Sequence, residues 1–241
     1  MRVEVYAVCY NEEETIKFFI KHYSWAWRIF IFDNHSTDNS RKIASSMGAI
    51  VRTFGNKNLD DREYLKIKNE MYKGSKADYV IMCDLDEYLY HPTIVQHLIR
   101  LKREGVTMPR VTGYNVYSND MPRNNMLEIQ TGYRYPNFDK QAIFDPKVNI
   151  NYIFGCHKNK ATGHIVRGGD IKLLHYRCIG GVQRMIDRHR AYAERMCDFN
   201  RRRNLGGHYF RKAETLKKEW SENMNKSKKL LFLSNVQSYN T

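Results

Sequence analysis

Three carboxylates, Asp84, Asp86 and Glu87, crowd the end of the apolar run at residues 79–83. The run is short, partly β-branched and flanked by polar residues, which predicts a buried strand. Carboxylates at the end of a buried strand are costly unless something positive neutralises them. In an α/β sheet the carboxyl edge of the strands is where ligands bind. Two aspartates one residue apart at that edge suit a hard divalent cation that bridges to phosphate oxygens. A solvated acidic turn would carry the same three residues, and D-x-D alone does not choose between the two.

Such a strand end needs a sheet around it. Residues 3–9 read as a first strand. Residues 11–27 carry apolar side chains at helical spacing (Ile16, Phe19, Ile20, Tyr23) after an Asn-Glu-Glu-Glu start that suits a helix N-terminus. A second strand at 28–32 ends in the turn-rich segment 33–40. A helix at 40–47, a strand at 49–54 and a helix at 62–74 lead to the acidic strand. Strands separated by helices imply crossovers and a mainly parallel sheet. From 110 to 176 the pattern changes to short aromatic and β-branched runs at 111–117, 141–144, 151–156 and 171–176, a mixed sheet with pocket-forming loops. From 182 onward the chain reads as charged helix, at 184–203 and 210–232, with 226–229 expected to fray.

The 241 residues suffice for one large domain or a domain plus an appendage, and 17 Tyr and 11 Phe supply a substantial core. Cys9, Cys83, Cys156, Cys178 and Cys197 show no C-x-x-C pair, which predicts reduced, structural thiols. No secretory or membrane-spanning run is evident, so a cytoplasmic protein is expected, peripheral to a membrane at most. The net charge is +14. That suits nucleic acid, an anionic membrane or a phosphorylated substrate. Zinc-finger spacing and RNA-recognition signatures are missing, and the acidic strand end would repel phosphate without metal, so no nucleic-acid partner is expected.

Several motifs fall in order. Val5-Tyr-Ala-Val-Cys-Tyr-Asn-Glu-Glu13 resembles the opening strand and Asn-Glu turn of glycosyltransferase family two, and Phe32-Asp-Asn-His-Ser-Thr-Asp38 resembles its second-strand signature. Asp84-Leu-Asp86-Glu87 matches its D-x-D motif. With the later Leu173-Leu-His175-Tyr-Arg177, it is closest to the branch that includes family ninety-two and related viral and bacterial enzymes. The resemblance covers about residues 3–192. It implies a GT-A fold, an α/β, Rossmann-like, mainly parallel sheet flanked by helices. A nucleotide-sugar half (1–109) and an acceptor half (110–180) would be followed by a basic helical extension (181–241). It also implies sugar transfer from a nucleoside diphosphate donor, by default a UDP-sugar, to a glycan or glycoconjugate acceptor, with Mn²⁺ or Mg²⁺. A basic nucleic-acid binder and an inactive nucleotide-sugar-binding relative are the competing readings.

On this resemblance Asp86 is the leading metal ligand. Asp84 contributes through water or contacts the donor beside Leu85, and His175 is a third ligand or a histidine bonded to backbone. Val8, Cys9, Tyr10 and Glu12 are placed to hold base and ribose, although core packing would explain Tyr10 as well. Asp33 would bind uracil or ribose. Asn34 stands where the family commonly has a second acid. Arg62, Lys66 and Asn69 share one face of the helix before D-x-D and could neutralise phosphate or bond the donor; a solvated basic stripe is the alternative. The family's usual Glu-Asp pair is not evident. Asp139, in Asn137-Phe-Asp-Lys140, and His157, in Gly155-Cys-His-Lys158, are therefore the candidate bases. Asp120, Asp145 and Asp170 are further carboxylates in that half, and Lys140 could contact phosphate or acceptor. Arg184, Arg188, Arg190, Arg195 and Arg201 to Arg203 suit a solvated helix face, or docking to an anionic membrane or a phosphate-bearing acceptor.

Overall fold

The computed structural model describes residues 1–234, without the side chains of 165–169. Five strands form the first sheet: β1 (Val3–Cys9), β2 (Arg28–Asp33), β3 (Ile50–Thr53), β4 (Tyr79–Asp84) and β8 (Ile143–Phe144), in the order β3-β2-β1-β4-β8. The first four are parallel and β8 is antiparallel to β4. Helices α1 (Ile16–His22), α2 (Ser40–Ser46) and α3 (Asp61–Glu70) make the crossovers. The α/β, mainly parallel sheet flanked by helices expected of a GT-A fold is therefore present.

A second sheet carries β5 (Glu87–Tyr90), β6 (Met108–Tyr117), β7 (Thr131–Arg134), β9 (Ile165–Cys178) and β10 (Lys228–Lys229), in the order β10-β7-β6-β9-β5. It is mixed: β6 and β9 are parallel, the other pairs antiparallel. Helix α4 (Ile94–Arg103) leads from β5 to β6. Neither β5 nor α4 is separated out by the sequence pattern. Helices α5 (Gly181–Arg195), α6 (Asp198–Arg202) and α7 (Ala213–Lys226) form the C-terminal extension, whose residues 235–241 lie outside the described residues.

Several boundaries differ from the sequence reading. The helix expected over 11–27 is confined to Ile16–His22. Asn11 adopts φ 49°, a left-handed conformation that asparagine tolerates but a helix cannot continue through. The helix expected over 184–203 breaks at Met196, whose extended backbone starts a new cap before α6. Residues 151–156 form no strand, only a bridge between Tyr152 and Asn159. The segment expected to fray instead ends α7 and adds β10 to the edge of β7.

All seven residues of β1 are buried. Their alternation feeds two cores, as a period of two requires. Val5 and Ala7 pack with Phe19 and Tyr23, while Tyr6 and Val8 pack with Phe32, Met82 and Ile67. The first core runs on into Leu173 and Leu174 of β9, so the two sheets share apolar contacts. Between β4 and β5 only Leu85 and Asp86 intervene. The D-x-D segment is thus the step from one sheet to the other. Gly113 of β6 fixes what lies above that step. A Cβ there would meet Phe138 Cβ at 2.4 Å and its carbonyl carbon at 2.6 Å. Gly113→Ala is expected to lose about 1–3 kcal/mol by overpacking, read as a lower urea midpoint at unchanged slope.

Candidate active site

The carboxyl edges of the first sheet meet as the strand pattern requires. Cys9 is level with Asp33, and Val8 with Asp84. In the second sheet, β5 pairs Glu87 with His175. Register alone therefore brings a residue from the far end of the chain beside D-x-D. The Tyr176 amide also donates to the Asp86 carbonyl at 2.7 Å. The strand is longer than the run expected at 171–176; it continues to Cys178 and carries Arg177 past the same edge. A cleft of about 970 Å³ opens here, lined by Val8, Tyr10, Asp84, Asp86, His157 and His175, among others. That is the upper range for small-molecule sites.

The carboxylates are neutralised unequally. Asp84 receives the Lys68 ammonium on Oδ1 at 2.6 Å and lies 3.9 Å from Lys140 Nζ through Oδ2. Burial works to raise its pKa, but the two lysines hold it below the usual carboxylate range. Glu87 is 1% exposed, pairs with Lys140 at 2.5 Å and accepts the Asp84 amide at 2.9 Å. Asp86 is different. Its nearest cation is Arg188, at 3.5 Å, and that guanidinium is bonded to Glu12 at 2.6 Å.

His175 completes this corner. Its Nδ1 lies 2.9 Å from Asn115 Oδ1, while the Asn115 amide nitrogen faces the Tyr133 hydroxyl at 3.4 Å. An amide oxygen can only accept, so Nδ1 carries the proton and Nε2 keeps its lone pair. Burial pushes the imidazole down to about 4, so it is neutral at pH 7. Phe138 stacks on it at 4.1 Å. Nε2 faces Asp86 Oδ1 at 3.7 Å. Two acceptors thus face each other across a gap that neither can close with a hydrogen bond.

Among the described residues no three His, Cys, Asp or Glu side chains converge as a ready-made metal centre. The pair Asp86–His175 nevertheless fits a divalent cation whose other ligands are water and phosphate oxygens, because such cations often take only one or two protein donors. The Asn115 contact orients the imidazole in the manner typical of ligating histidines.

Val8, Cys9, Tyr10, Glu12 and Leu85 line the cleft with Asp84 and Asp86, and so do Asp139 and His157. Glu12 is tied to Arg188 and to the Thr15 hydroxyl, at 2.6 Å each. Asp139 accepts the Gly113 amide at 2.8 Å and is ion-paired with Arg134. His157 is freer, bonded through Nδ1 to the Asn137 carbonyl at 3.0 Å.

Asp33, Asn34, Arg62, Lys66 and Asn69 are not among the cleft-lining residues. Asp33 is wholly buried and accepts the Ser36 amide at 3.0 Å. Asn69 pairs with the backbone of Tyr152 in both directions. Arg62 forks onto Asp60 and lies over Phe199. Lys66 is exposed, and the buried lysine of α3 is Lys68. The cleft-facing row of α3 is Asp61, Tyr64, Leu65 and Lys68, about 100° round the helix from the row chosen by sequence.

Asn34 explains its own departure from the family acid. Its amide nitrogen donates to the carbonyls of Phe54 at 3.1 Å and Asn56 at 2.8 Å, and its oxygen accepts from Tyr64 and Arg195. A carboxylate cannot donate to two carbonyls. Asn34→Asp is expected to cost about 1–3 kcal/mol, seen as a lower melting temperature, because it sets a carboxylate against the two carbonyl oxygens.

Of the C-terminal arginines expected on a solvated face, Arg184, Arg188 and Arg195 turn inward, while Arg201 to Arg203 are exposed. Arg184 bonds Glu14, Arg188 bonds Glu12, and the Arg195 guanidinium sits 3.2 Å from the Tyr10 ring centroid. Their spacing of four and seven residues was the available signal, since it marks one helix face. Arg190 stays exposed beside Asp187.

Residues 5–159 match the family described as Glycosyl transferase family 2. The chain belongs to that family. As a family 2 member it shares 28% identity over 104 residues with Protein RfbJ of Shigella flexneri, covering 41% of this chain and 77% of that protein. Among solved structures, glucosyl-3-phosphoglycerate synthase from Mycobacterium tuberculosis, in complex with Mn²⁺, UDP and phosphoglyceric acid, is 20% identical with a TM-score of 0.35. That match covers 47% of this chain and 43% of the synthase. S. aureus TarS 1–349 is 11% identical with a TM-score of 0.49, over 93% of this family 2 chain and 71% of TarS. Among the described residues no helix is long and apolar enough to cross a membrane.

Proposed function

We propose that the chain is a metal-dependent glycosyltransferase that moves a sugar from a nucleoside diphosphate donor, by default a UDP-sugar, to a hydroxyl of a glycan or glycoconjugate, with inversion. The observation that carries this is the Asp86–His175 acceptor pair, 3.7 Å apart, at the sheet edge of a family 2 chain. Asp86 Oδ1 and His175 Nε2 would hold the cation, and the imidazole favours Mn²⁺ over Mg²⁺ modestly. Bound there, it would supply Lewis-acid stabilisation of the charge developing on the diphosphate.

The protein groups divide the remaining work. Tyr10, Val8, Cys9 and Glu12 wall the side of the cleft where β1 ends, which suits base and ribose. Lys68 and Lys140 keep Asp84 and Glu87 from repelling the diphosphate. His157 is the better base of the two candidates. Its Nδ1 proton is committed to a carbonyl, leaving Nε2 free to accept, whereas Asp139 is held by Gly113 and Arg134. It would take the acceptor hydroxyl proton as that oxygen attacks the anomeric carbon and the nucleoside diphosphate departs. The division into 1–109, 110–180 and 181–241 is one of proposed roles and not of sheets, since β5 lies in the second sheet, β8 in the first and β10 pairs with β7. The Asp84-Leu-Asp86-Glu87 and His175-Tyr-Arg177 pairing supports the family ninety-two-like branch.

A panel of nucleotide sugars with Mn²⁺, scored for nucleotide release, tests the reading. Release from at least one donor, abolished by chelator, is expected. If no donor is turned over and none binds in a metal-dependent way, the reading fails.

A further inference from the structure

Three cations around D-x-D each have an anion: Lys68 has Asp84, Lys140 has Glu87 and Arg188 has Glu12. Arg177 does not. Among the described residues no carboxylate lies within ion-pair distance of it. It follows His175 by two residues on β9, where the register against β6 shifts, and both side chains line the cleft. Its Nη1 donates to the Tyr209 hydroxyl at 3.3 Å, and its Nη2 is buried with no partner. The Tyr209 and Tyr192 rings lie 4.9 and 5.4 Å from the guanidinium carbon. Cation–π attraction offsets part of the desolvation but satisfies no N–H group.

Asp86 acts on Arg177 through space but lies outside ion-pair distance. His189 and His208 line the same wall, and burial, reinforced by the Arg177 charge, pushes each imidazole down to about 4. Arg211 also lines this wall and adds a second guanidinium, bonded to Glu219 at 2.8 Å. A planar guanidinium that lines a cleft with an open donor, and that is ion-paired with no carboxylate among the described residues, is complementary to an oxyanion that arrives from outside.

We propose that Arg177, backed by Tyr209 and rimmed by His208 and Arg211, is a phosphate-binding subsite beside the Asp86–His175 pair. The phosphoryl group belongs either to the donor diphosphate or to a phosphate-bearing acceptor. Only that choice rests on the glycosyltransferase reading; the anion site itself does not. The C-terminal extension thereby becomes part of substrate recognition, since Tyr209, His208 and Arg211 all come from it.

The test is calorimetric titration of the full chain with UDP and Mn²⁺, and separately with inorganic phosphate, both without nucleotide and on the UDP-saturated protein. Arg177→Gln is compared with Arg177→Lys and with the exposed control Arg190→Gln. Arg177→Gln is expected to weaken one ligand roughly tenfold, as loss of a charged hydrogen bond does, with Arg177→Lys in between and the control unchanged. Loss in the UDP arm assigns the site to the donor; loss of phosphate on top of UDP assigns it to the acceptor. Because the substitution removes a guanidinium whose Nη2 is buried without a partner, its melting temperature is expected to hold or rise. A lowered melting temperature, or affinities within twofold of wild type in every arm, overturns the proposal. If wild type binds no UDP, the function proposed above fails, and phosphate titration of the nucleotide-free protein still decides the subsite.

Discussion

Replacing Lys140 by methionine is expected to cost the fold about 3–5 kcal/mol, the usual penalty for breaking a buried ion pair. The lysine side chain is 4% exposed and its partner Glu87 1%, so water cannot take over the charge. Glu87 cannot turn outward either, because its other oxygen accepts the Asp84 amide at the turn between the sheets. For a chain of this size the loss corresponds to a melting temperature about 10 °C lower, at about 2–4 °C per kcal/mol. The double variant Lys140→Met/Glu87→Gln removes both charges while keeping an oxygen for the Asp84 amide, and is expected to recover more than half of the loss. A single variant within about 1 kcal/mol of wild type would mean that the lysine does not neutralise this strand end.

Asp86→Ala is expected to do the reverse, leaving stability nearly intact and removing activity. Without Asp86, Arg188 keeps Glu12 and His175 keeps Asn115, so neither loses its last polar partner. What disappears is one of the two protein donors facing the cation position. A Lewis-acid contribution of several kcal/mol predicts a fall in nucleotide release of about 10³-fold. The check pairs steady-state release with thermal unfolding of the same preparation. Asp84→Ala makes the contrast. It strands Lys68, which is 4% exposed and buried against that carboxylate, and so is expected to lower stability as well. On the proposed function the two aspartates of D-x-D have separate tasks, one electrostatic and structural, the other chemical.

Sequence patterning located the sheet edge because strand ends are local. The apolar run stops at a carboxylate, and the parallel partners Cys9, Asp33 and Asp84 follow from strand order. His175 was legible only through the resemblance, since its place depends on β5 pairing with β9 some eighty residues away. Lys68 was missed by a helix phase error: Lys66 and Lys68 are equally plausible by type, and only packing shows which face is buried. Arg188 read as surface because an arginine's burial depends on an acid that the sequence sets 176 residues away, Glu12. Asn34 looked like a weakened acid, and its two carbonyl partners come from the loop after β3, which no local pattern predicts. The misses share a cause: each is a polar contact between elements distant in sequence.

Calorimetric titration of UDP into wild type and Asp86→Ala, with and without Mn²⁺, tests the central claim most directly. Wild type is predicted to bind UDP only weakly without metal and at least tenfold more tightly with it, and Asp86→Ala is predicted to lose that gain while remaining folded. Equal UDP binding with and without Mn²⁺ in wild type, or an undiminished metal effect in Asp86→Ala, would contradict the assignment of Asp86 and His175 as the cation-diphosphate anchor.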